Sequence, residues 1–338
     1  NDYAQDALNK GASLCVINNP ELAKNSEKFL LVRDSLDTLQ ELAKHHRDNL
    51  NIPIVCITGS NGKTTRKNLL EVALTTKYKV YATEGNFNNH IGVPLSILKI
   101  NDSHEIGIIE MGASSVGEIA ELCKIAKSFD CLTIVDSVTG LGGVELQVDA
   151  WSIDVAYSGT QKCLSAPPGI SLITFSEAAA ERVKSRSQPV QSWFLALSLL
   201  MAYWDGDGEG RTYHHTAPVN AIYGLHESLS MLLEEGLESS WDRHARVHKN
   251  LAEGLFGLGL DFVVAEKHRL PQLNLIKCPD KTDEASIRKR VLEDFNLEIG
   301  SGLGVFAGKV WRIGLMGYSA RKENVSLCIS ALKECLAR

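Results

Sequence analysis

The sequence predicts an α/β fold with a hybrid, mostly parallel, doubly wound sheet and a smaller C-terminal α+β domain. Three observations support this prediction. Short apolar runs alternate with helical patterns up to about residue 175, a Gly-rich turn separates one such run from a helix, and two long helical patterns follow residue 218. Strands that alternate with helices are typical of a parallel sheet covered on both faces.

The N-terminal half supplies most of the predicted parallel strands. Apolar runs predict strands at residues 12–17, 29–32, 54–57, 79–82, 105–111 and 131–136. Helical periodicity predicts helices at residues 36–47, 63–76 and 115–127. Runs of four to eight apolar residues followed by helices indicate buried strands in successive β-α units.

The C-terminal part mixes longer helices with a few strands. Helices are predicted at residues 218–235, 238–258, 283–295 and 321–338. Strands are predicted at residues 261–264, 273–278 and 310–316. This arrangement indicates a smaller α+β domain.

Composition excludes some classes of partner. The 338 residues carry a net charge of -6 and are 44% hydrophobic, which suits two or three domains with real cores. Mild acidity argues against a nucleic-acid surface, and the apolar stretch 193–204 is too short to span a bilayer. We therefore expect small-molecule ligands and neither nucleic acid nor a membrane as a partner.

Cysteine usage and the N-terminus indicate a reducing compartment. The eight cysteines form no CxxC pair, so buried free thiols are expected, not disulfides or a zinc site. The polar start has no basic region and predicts no signal peptide. We expect a cytoplasmic protein, in the form of a trimmed, recombinant or engineered chain.

A phosphate-binding turn is predicted at residues 58–65, where Thr-Gly-Ser-Asn-Gly-Lys-Thr-Thr follows an apolar run. Backbone N–H groups at the start of a helix bind phosphate oxygens. Lys63 would reach the terminal phosphates, and Thr64 would place a hydroxyl on Mg²⁺. The strict pattern needs Gly where Ile57 stands, so this is a shorter variant; the alternative is a tight turn with a capping Thr. The candidate ligand-binding residues are Gly59, Asn61, Gly62, Lys63, Thr64 and Thr65.

Glu110 is a second candidate Mg²⁺ ligand, because it ends a predicted parallel strand. Together with residues 83–94 and 109–113, the turn resembles the Mur ligases of the MurF type, which are UDP-N-acetylmuramoyl-tripeptide–D-alanyl-D-alanine ligases. The resemblance runs from about residue 1 to 127 and implies ATP and Mg²⁺ as ligands. It departs at Arg66, where the family usually has a third Thr.

From about residue 130 the sequence resembles the alanine–glyoxylate (serine–pyruvate) aminotransferases, which have fold type I, with the insect members nearest. The resemblance rests on residues 131–138, 141–143, 157–162, 166–169, 213–216 and 310–314. It implies pyridoxal phosphate (PLP) as a cofactor. Lys162 would form the Schiff base and shuttle a proton, and Asp136 would pair with the pyridine nitrogen.

The same resemblance assigns further binding residues. Gln161 becomes a donor to the cofactor phosphate. Tyr213 and Thr216 match residues that reach the phosphate of a neighbouring subunit, which implies a homodimer. Arg312 matches the arginine that holds the substrate carboxylate with two hydrogen bonds.

Neither resemblance is complete, and the two meet near residues 127–130. The predicted division is a partial Mur-ligase N-terminal region (1–50), a P-loop segment (51–129), an aminotransferase large-domain segment (130–235) and an aminotransferase small domain (236–338). We expect an engineered chimera without complete parental activity, because incomplete constellations lose positioning. The alternatives are a weak PLP-dependent aminotransferase acting through Lys162, and an ATP- or phosphate-binding protein.

Overall fold

A computed structural model describes residues 3–24, 26–59, 63–85, 87–111, 123, 126–127, 132–205, 212–266, 269–280 and 282–337. For residues 58, 59, 63–66 and 205, the description is confined to the backbone. The chain divides into two compact units. The first unit holds the described residues up to Thr133, and the second begins at Ile134. Each unit is described by itself.

The first unit contains three parallel strands in the order β4-β5-β3, and a separate parallel pair, β1 and β2. In chain order its elements are α1 (Ala4–Asn9), β1 (Cys15–Ile17), α2 (Pro20–Ala23), β2 (Phe29–Leu31), α3 (Ser35–Asp48), β3 (Ile54–Gly59), α4 (Lys63–Thr75), β4 (Val80–Ala82), α5 (Gly92–Leu98) and β5 (Ile106–Glu110).

Local signals explain where these helices begin. The Asp34 carboxylate accepts hydrogen bonds from the backbone N–H groups of Leu36 at 2.7 Å and Asp37 at 3.0 Å, which caps α3. Such a cap stabilises a helix by about 1 kcal/mol. Helix α5 begins at Gly92, where a Cβ atom would overlap the backbone of Phe87. The unit's core is apolar and includes Ile54, Cys56, Ile97, Ile100, Ile109 and Met111.

The second unit contains β6 (Thr133–Asp136), β7 (Val155–Gly159) and β8 (Ser171–Phe175). The first residue of β6, Thr133, is counted with the first unit. Strand β6 pairs with β7 in parallel, and β7 pairs with β8 in antiparallel orientation. The next elements are α6 (Glu177–Lys184), α7 (Leu197–Asp205), α8 (Val219–Glu235) and α9 (Leu237–Gly257).

The last part of the second unit is an antiparallel sheet packed against helices. It contains β9 (Leu273–Lys277), α10 (Glu284–Phe295), β10 (Gly300–Ser301), β11 (Val310–Gly314) and α11 (Lys322–Leu336), with strand order β10-β11-β9. The indole N–H of Trp311, a fully buried residue, donates to the carbonyl of Glu284 at 3.2 Å. This bond joins the sheet to α10 within the apolar core.

The predicted α/β fold with a mostly parallel sheet and a smaller C-terminal α+β part is confirmed. The predicted strand at residues 261–264 is wrong, because only Phe262 pairs there, as an isolated bridge to Ile276. Most of the predicted helix 115–127 lies outside the described residues, as does the junction at 128–130. The division into four domains stays a prediction. No helix in the described part of the chain is both long and apolar enough to cross a membrane.

Candidate active site

Asp136 and Lys162 lie at the carboxyl ends of two neighbouring parallel strands. Asp136 is the last residue of β6 and is in register with Tyr157 of β7, and Lys162 follows the end of β7 by three residues. The Asp136 side chain is largely buried, with 8% exposure for the residue, and its Oδ1 accepts a hydrogen bond from Val138 N at 2.9 Å. Lys162 is half-buried, and the described residues provide no hydrogen-bond or ion-pair partner for its Nζ.

Residues 160–167, here called the Lys162 segment, are held together by hydrogen bonds among themselves. Thr160 Oγ1 donates to the carbonyl of Pro167 at 2.6 Å, and Ala166 N donates to the carbonyl of Thr160 at 3.1 Å. Ser165 N donates to the carbonyl of Lys162 at 2.9 Å, with Ser165 in the left-handed region at φ 57°. The backbone of Lys162 is therefore fixed, although its amine has no partner among the residues that the structure describes.

Cys163 is a packing residue. Its thiol donates to the carbonyl of Thr139 at 3.4 Å, and a Cβ atom on Gly143 would lie 2.7 Å from its Sγ. Burial is the largest effect on the thiol and raises the pKa of Cys163 to about 11. The group is thus protonated at neutral pH, which argues against a nucleophilic role.

A second segment, residues 315–318, packs directly on the Lys162 segment. A Cβ atom on Gly317, which has φ 55°, would overlap Ser165 and the Cys163 backbone, so the position requires glycine. Tyr318 N donates to Ser165 Oγ at 2.8 Å. Local sequence patterns do not reveal Ser165 and Gly317, because this contact joins residues more than 150 positions apart.

Arg312 lies on β11, opposite Gly300 of β10. Its Nε donates to the carbonyl of Ser301 at 2.7 Å, which fixes the plane of the guanidinium group. The described residues provide no hydrogen-bond partner for its two Nη atoms. These donors can therefore meet a carboxylate side-on.

The remaining predicted aminotransferase residues are exposed. The Tyr213 hydroxyl shares a hydrogen bond with Thr216 Oγ1 at 2.9 Å, and Tyr213 is 70% exposed. Gln161 is exposed and lies against Gly159. By contrast, His214 is buried and stacks on Trp193 with ring centroids 4.1 Å apart, as expected for a packing residue.

In the first unit, the predicted phosphate-binding turn follows β3, which ends at Gly59, and precedes α4, which begins at Lys63. Asn61 and Gly62 lie outside the described residues, and the side chains of Lys63, Thr64 and Thr65 are also outside the description. The predicted contacts to nucleotide and Mg²⁺ by these residues stay predictions.

Glu110 does end a parallel strand, as predicted. It is buried, and Asn88 Nδ2 donates to its Oε1 at 3.0 Å. Its backbone N–H donates to Thr83 Oγ1 at 2.9 Å, and the buried Lys67 donates to the carbonyl of Thr83 at 2.5 Å. Within the described ranges, no group of three or more His, Cys, Asp or Glu residues could hold a metal ion. Sequence analysis missed Lys67, which holds the backbone beside Glu110.

Comparison with known proteins relates the chain to aminotransferases. It is 42% identical over 229 residues to an alanine–glyoxylate aminotransferase of Callithrix jacchus, an alignment covering 67% of this chain and 55% of that protein. The solved structure of an alanine–glyoxylate aminotransferase from Nostoc matches with a TM-score of 0.66 and 31% identity, over 88% of this chain and 79% of that one. The chain belongs to the aminotransferases of the alanine–glyoxylate type.

Other relatives agree with this assignment. A (S)-ureidoglycine–glyoxylate transaminase of Bacillus subtilis is 38% identical over 248 residues, covering 67% of this chain and 59% of that protein. The chain spans 55% and 58% of the first two curated relatives, so little more than half their length. Residues 57–134 also match the family model of the Mur ligase middle domain. The two resemblances noted in the sequence thus both have support, over different shares of the chain.

Proposed function

We propose that this chain carries a PLP-dependent aminotransferase site in its second unit, with Lys162 as the cofactor lysine and Asp136 as the partner of the pyridine nitrogen. One observation carries the proposal: the buried carboxylate of Asp136, and the amine of Lys162 that has no partner among the described residues, lie at the carboxyl ends of two neighbouring parallel strands. Cofactors commonly bind at this edge of α/β sheets. The similarity to alanine–glyoxylate aminotransferases supports the same assignment.

The residues present suit this cofactor. A largely buried Asp136 carboxylate can keep a pyridine nitrogen protonated, and a Lys162 amine without a partner in the described part of the chain can attack an aldehyde. When bound, PLP supplies an electron sink for charge that develops on the substrate Cα atom. The amine of Lys162 would accept the proton that leaves this carbon and return it to the cofactor-derived carbon during transfer of the amino group.

Arg312 is proposed to orient the substrate. Its Nε is held by the Ser301 carbonyl, so the remaining Nη donors can bind an α-carboxylate in one plane. An α-amino acid as donor and an α-keto acid as acceptor both carry this group. Alanine and glyoxylate, which the names of the relatives specify, are therefore the first substrates to test.

We also propose that Gln161, Tyr213 and Thr216 bind the cofactor phosphate. Gln161 would act within its own chain, and Tyr213 and Thr216 would act on a second copy of the chain. The exposure of all three side chains supports this, since exposed donors can meet a ligand or another subunit. A homodimer follows from the proposal, and light scattering that finds only monomers would remove Tyr213 and Thr216 from it.

The proposal has a direct spectroscopic test. Adding PLP should produce the absorbance band of a lysine-bound cofactor, and Lys162→Ala should abolish it. Lys289→Ala is the control, because Lys289 is an exposed lysine on α10. An assay with alanine and glyoxylate, read by pyruvate formation, measures turnover. No band in the unaltered chain, or an undiminished band in Lys162→Ala, would refute the site.

A second candidate function is nucleotide binding through the first unit. The match of residues 57–134 to the Mur ligase middle domain and the β3–turn–α4 order support ATP bound by Gly59–Thr65, with Mg²⁺ on Thr64 and Glu110. Calorimetry with Mg-ATP, compared with Lys63→Ala, tests this. If the unaltered chain and the variant release the same heat, or none, the second function is wrong.

The two matches together also support a composite origin. The presence of both matches in one chain supports this origin, although the matched regions overlap around the join. We propose that a Mur-ligase segment and an aminotransferase segment were joined near residues 127–130, with neither parental reaction complete. The prediction is a turnover rate well below that of a complete aminotransferase, even where PLP binds. Turnover equal to that of a full-length relative, measured side by side, would contradict the incomplete-activity proposal.

A further inference from the structure

His244 on α9 is fully buried and uses both ring nitrogens. Its Nε2 lies 2.9 Å from Gly317 N, which can only donate, so Nε2 accepts. Its Nδ1 lies 2.7 Å from the carbonyl of Ser240, which can only accept, so Nδ1 carries the proton. The two partners therefore select one neutral tautomer of the ring. A ring protonated on both nitrogens would lose the bond to Gly317.

The contact at Gly317 continues to the cofactor lysine. Gly317 packs against Cys163 and Ser165 without room for a Cβ atom. The next residue, Tyr318, donates from its backbone N–H to Ser165 Oγ at 2.8 Å. Ser165 N in turn donates to the carbonyl of Lys162 at 2.9 Å. Hydrogen bonds and close packing thus connect His244 to the backbone of Lys162.

The same helix turn also braces the segment that follows Asp136. Ser240 Oγ donates to the carbonyl of Gly142 at 2.7 Å. Gly142 has φ 85°, and its α-carbon region faces Leu164 and Cys163 of the Lys162 segment. One turn of α9 therefore bonds Gly142, which follows Asp136 in the chain, and Gly317, which packs on the Lys162 segment.

We propose that His244 is a positioning residue for Lys162: its neutral ring holds residues 315–318 against the Lys162 segment, and protonation of the ring releases them. The inference rests on the proposed function for what Lys162 does. It adds a residue that touches neither cofactor nor substrate.

The charges around His244 favour the neutral ring. Burial, the largest effect, lowers the pKa of His244 below the ordinary 6.5, while the bond to Ser240 acts in the opposite direction. Arg243 on the same helix lowers this pKa further, and Glu235 on α8 raises it. In the Lys162 segment, the nearby Cys163, which interacts with Gly317 and Arg243, is a neutral thiol. The stability that the neutral ring contributes is present above pH 6.5 and is lost as the pH falls through the lowered pKa.

Hydrogen exchange at the Gly317 amide tests the first half of the proposal on the whole chain without added ligand. We expect His244→Phe to speed this exchange about tenfold, because a buried donor loses its acceptor. His244→Gln places an amide oxygen near the position of Nε2, so it should restore protection without titrating. After correction for intrinsic exchange, the unaltered chain should lose Gly317 protection at acidic pH and His244→Gln should not. Equal pH profiles for these two proteins, or unchanged exchange in His244→Phe, would overturn the proposal.

Cofactor binding tests the second half. PLP titration, read by the Lys162-dependent band, should give about tenfold weaker binding in His244→Phe and near-normal binding in His244→Gln. Ser165→Ala removes the hydrogen bond from Tyr318 N to Ser165 Oγ without changing α9. It should weaken the band while the protein stays folded. If Gly317 protection changes but binding does not, His244 is only structural and the positioning role is wrong. If the unaltered chain gives no band, the proposed function fails, whereas the exchange experiment still decides what His244 does at Gly317.

Discussion

Replacing Gly317 by alanine tests the contact between residues 315–318 and the Lys162 segment most sharply. Two costs are expected. Alanine at φ 55° costs about 1–2 kcal/mol of backbone strain. The new Cβ atom would also overlap Ser165 and the Cys163 backbone, and such overpacking typically costs about 1–3 kcal/mol. We therefore expect Gly317→Ala to lower the free energy of unfolding by about 2–5 kcal/mol, as the sum of these two ranges.

The matched control is Gly304→Ala. Gly304 has nearly the same φ, 56°, but no atom of the described residues lies within 4 Å of a Cβ atom built there. The backbone cost is common to both variants, so the difference between them, about 1–3 kcal/mol, measures the overlap alone. Urea unfolding followed by circular dichroism gives both values at unchanged m. Equal losses in Gly317→Ala and Gly304→Ala would refute the close contact with the Lys162 segment.

Two further predictions concern titratable groups near this contact. Burial raises the pKa of Cys163 to about 11 from an ordinary 9.0. At pH 8, iodoacetamide should therefore alkylate Cys163 about a hundredfold more slowly than an unburied cysteine, as measured by mass spectrometry. Alkylation at the rate of an unburied cysteine would contradict this burial. The hydrogen bond from Arg243 lowers the pKa of Glu235 from 4.5, so the pair should stabilise the fold above pH 4.5 and lose this effect as the pH falls. In urea unfolding, Glu235→Gln should reduce the loss of unfolding free energy that accompanies a fall in pH below 4.5. If this loss is the same in the variant, the pair contributes nothing to stability.

Local sequence patterns predicted the buried strands well. The largely apolar runs at residues 54–57 and 105–111 became β3 and β5, because a strand with most of its positions buried is rich in apolar residues. The same reasoning did not predict β8, whose half-buried and exposed positions do not alternate regularly. Its residues are exposed or half-buried, and within the described residues it pairs only with β7, in antiparallel orientation. Sequence periodicity reports burial, so a poorly buried strand gives a weak signal.

The site was predictable only in part, for a different physical reason. Asp136 ends one strand and Lys162 follows the end of the next, so their shared edge could be expected from the sequence. The residues that hold the Lys162 segment could not be predicted in this way. The contact between His244 and Gly317 spans 73 positions of the chain, and that between Ser165 and Tyr318 spans 153. No periodic pattern relates residues so far apart. A glycine required by a neighbouring segment also looks, in sequence, like any other turn glycine.

The contacts around Lys162 separate cofactor binding from turnover. Every group found to fix the Lys162 segment belongs to the second unit, between Thr139 and Tyr318. Under the proposed function, these contacts position the amine of Lys162 for bond formation with PLP. Under the proposed function, turnover would additionally require the substrate carboxylate on Arg312 and the cofactor phosphate on donors that include a second subunit. Because these requirements differ, a chain that shows the Lys162-dependent band with little pyruvate formation would fit this structure, whereas turnover without that band would contradict the role of Lys162.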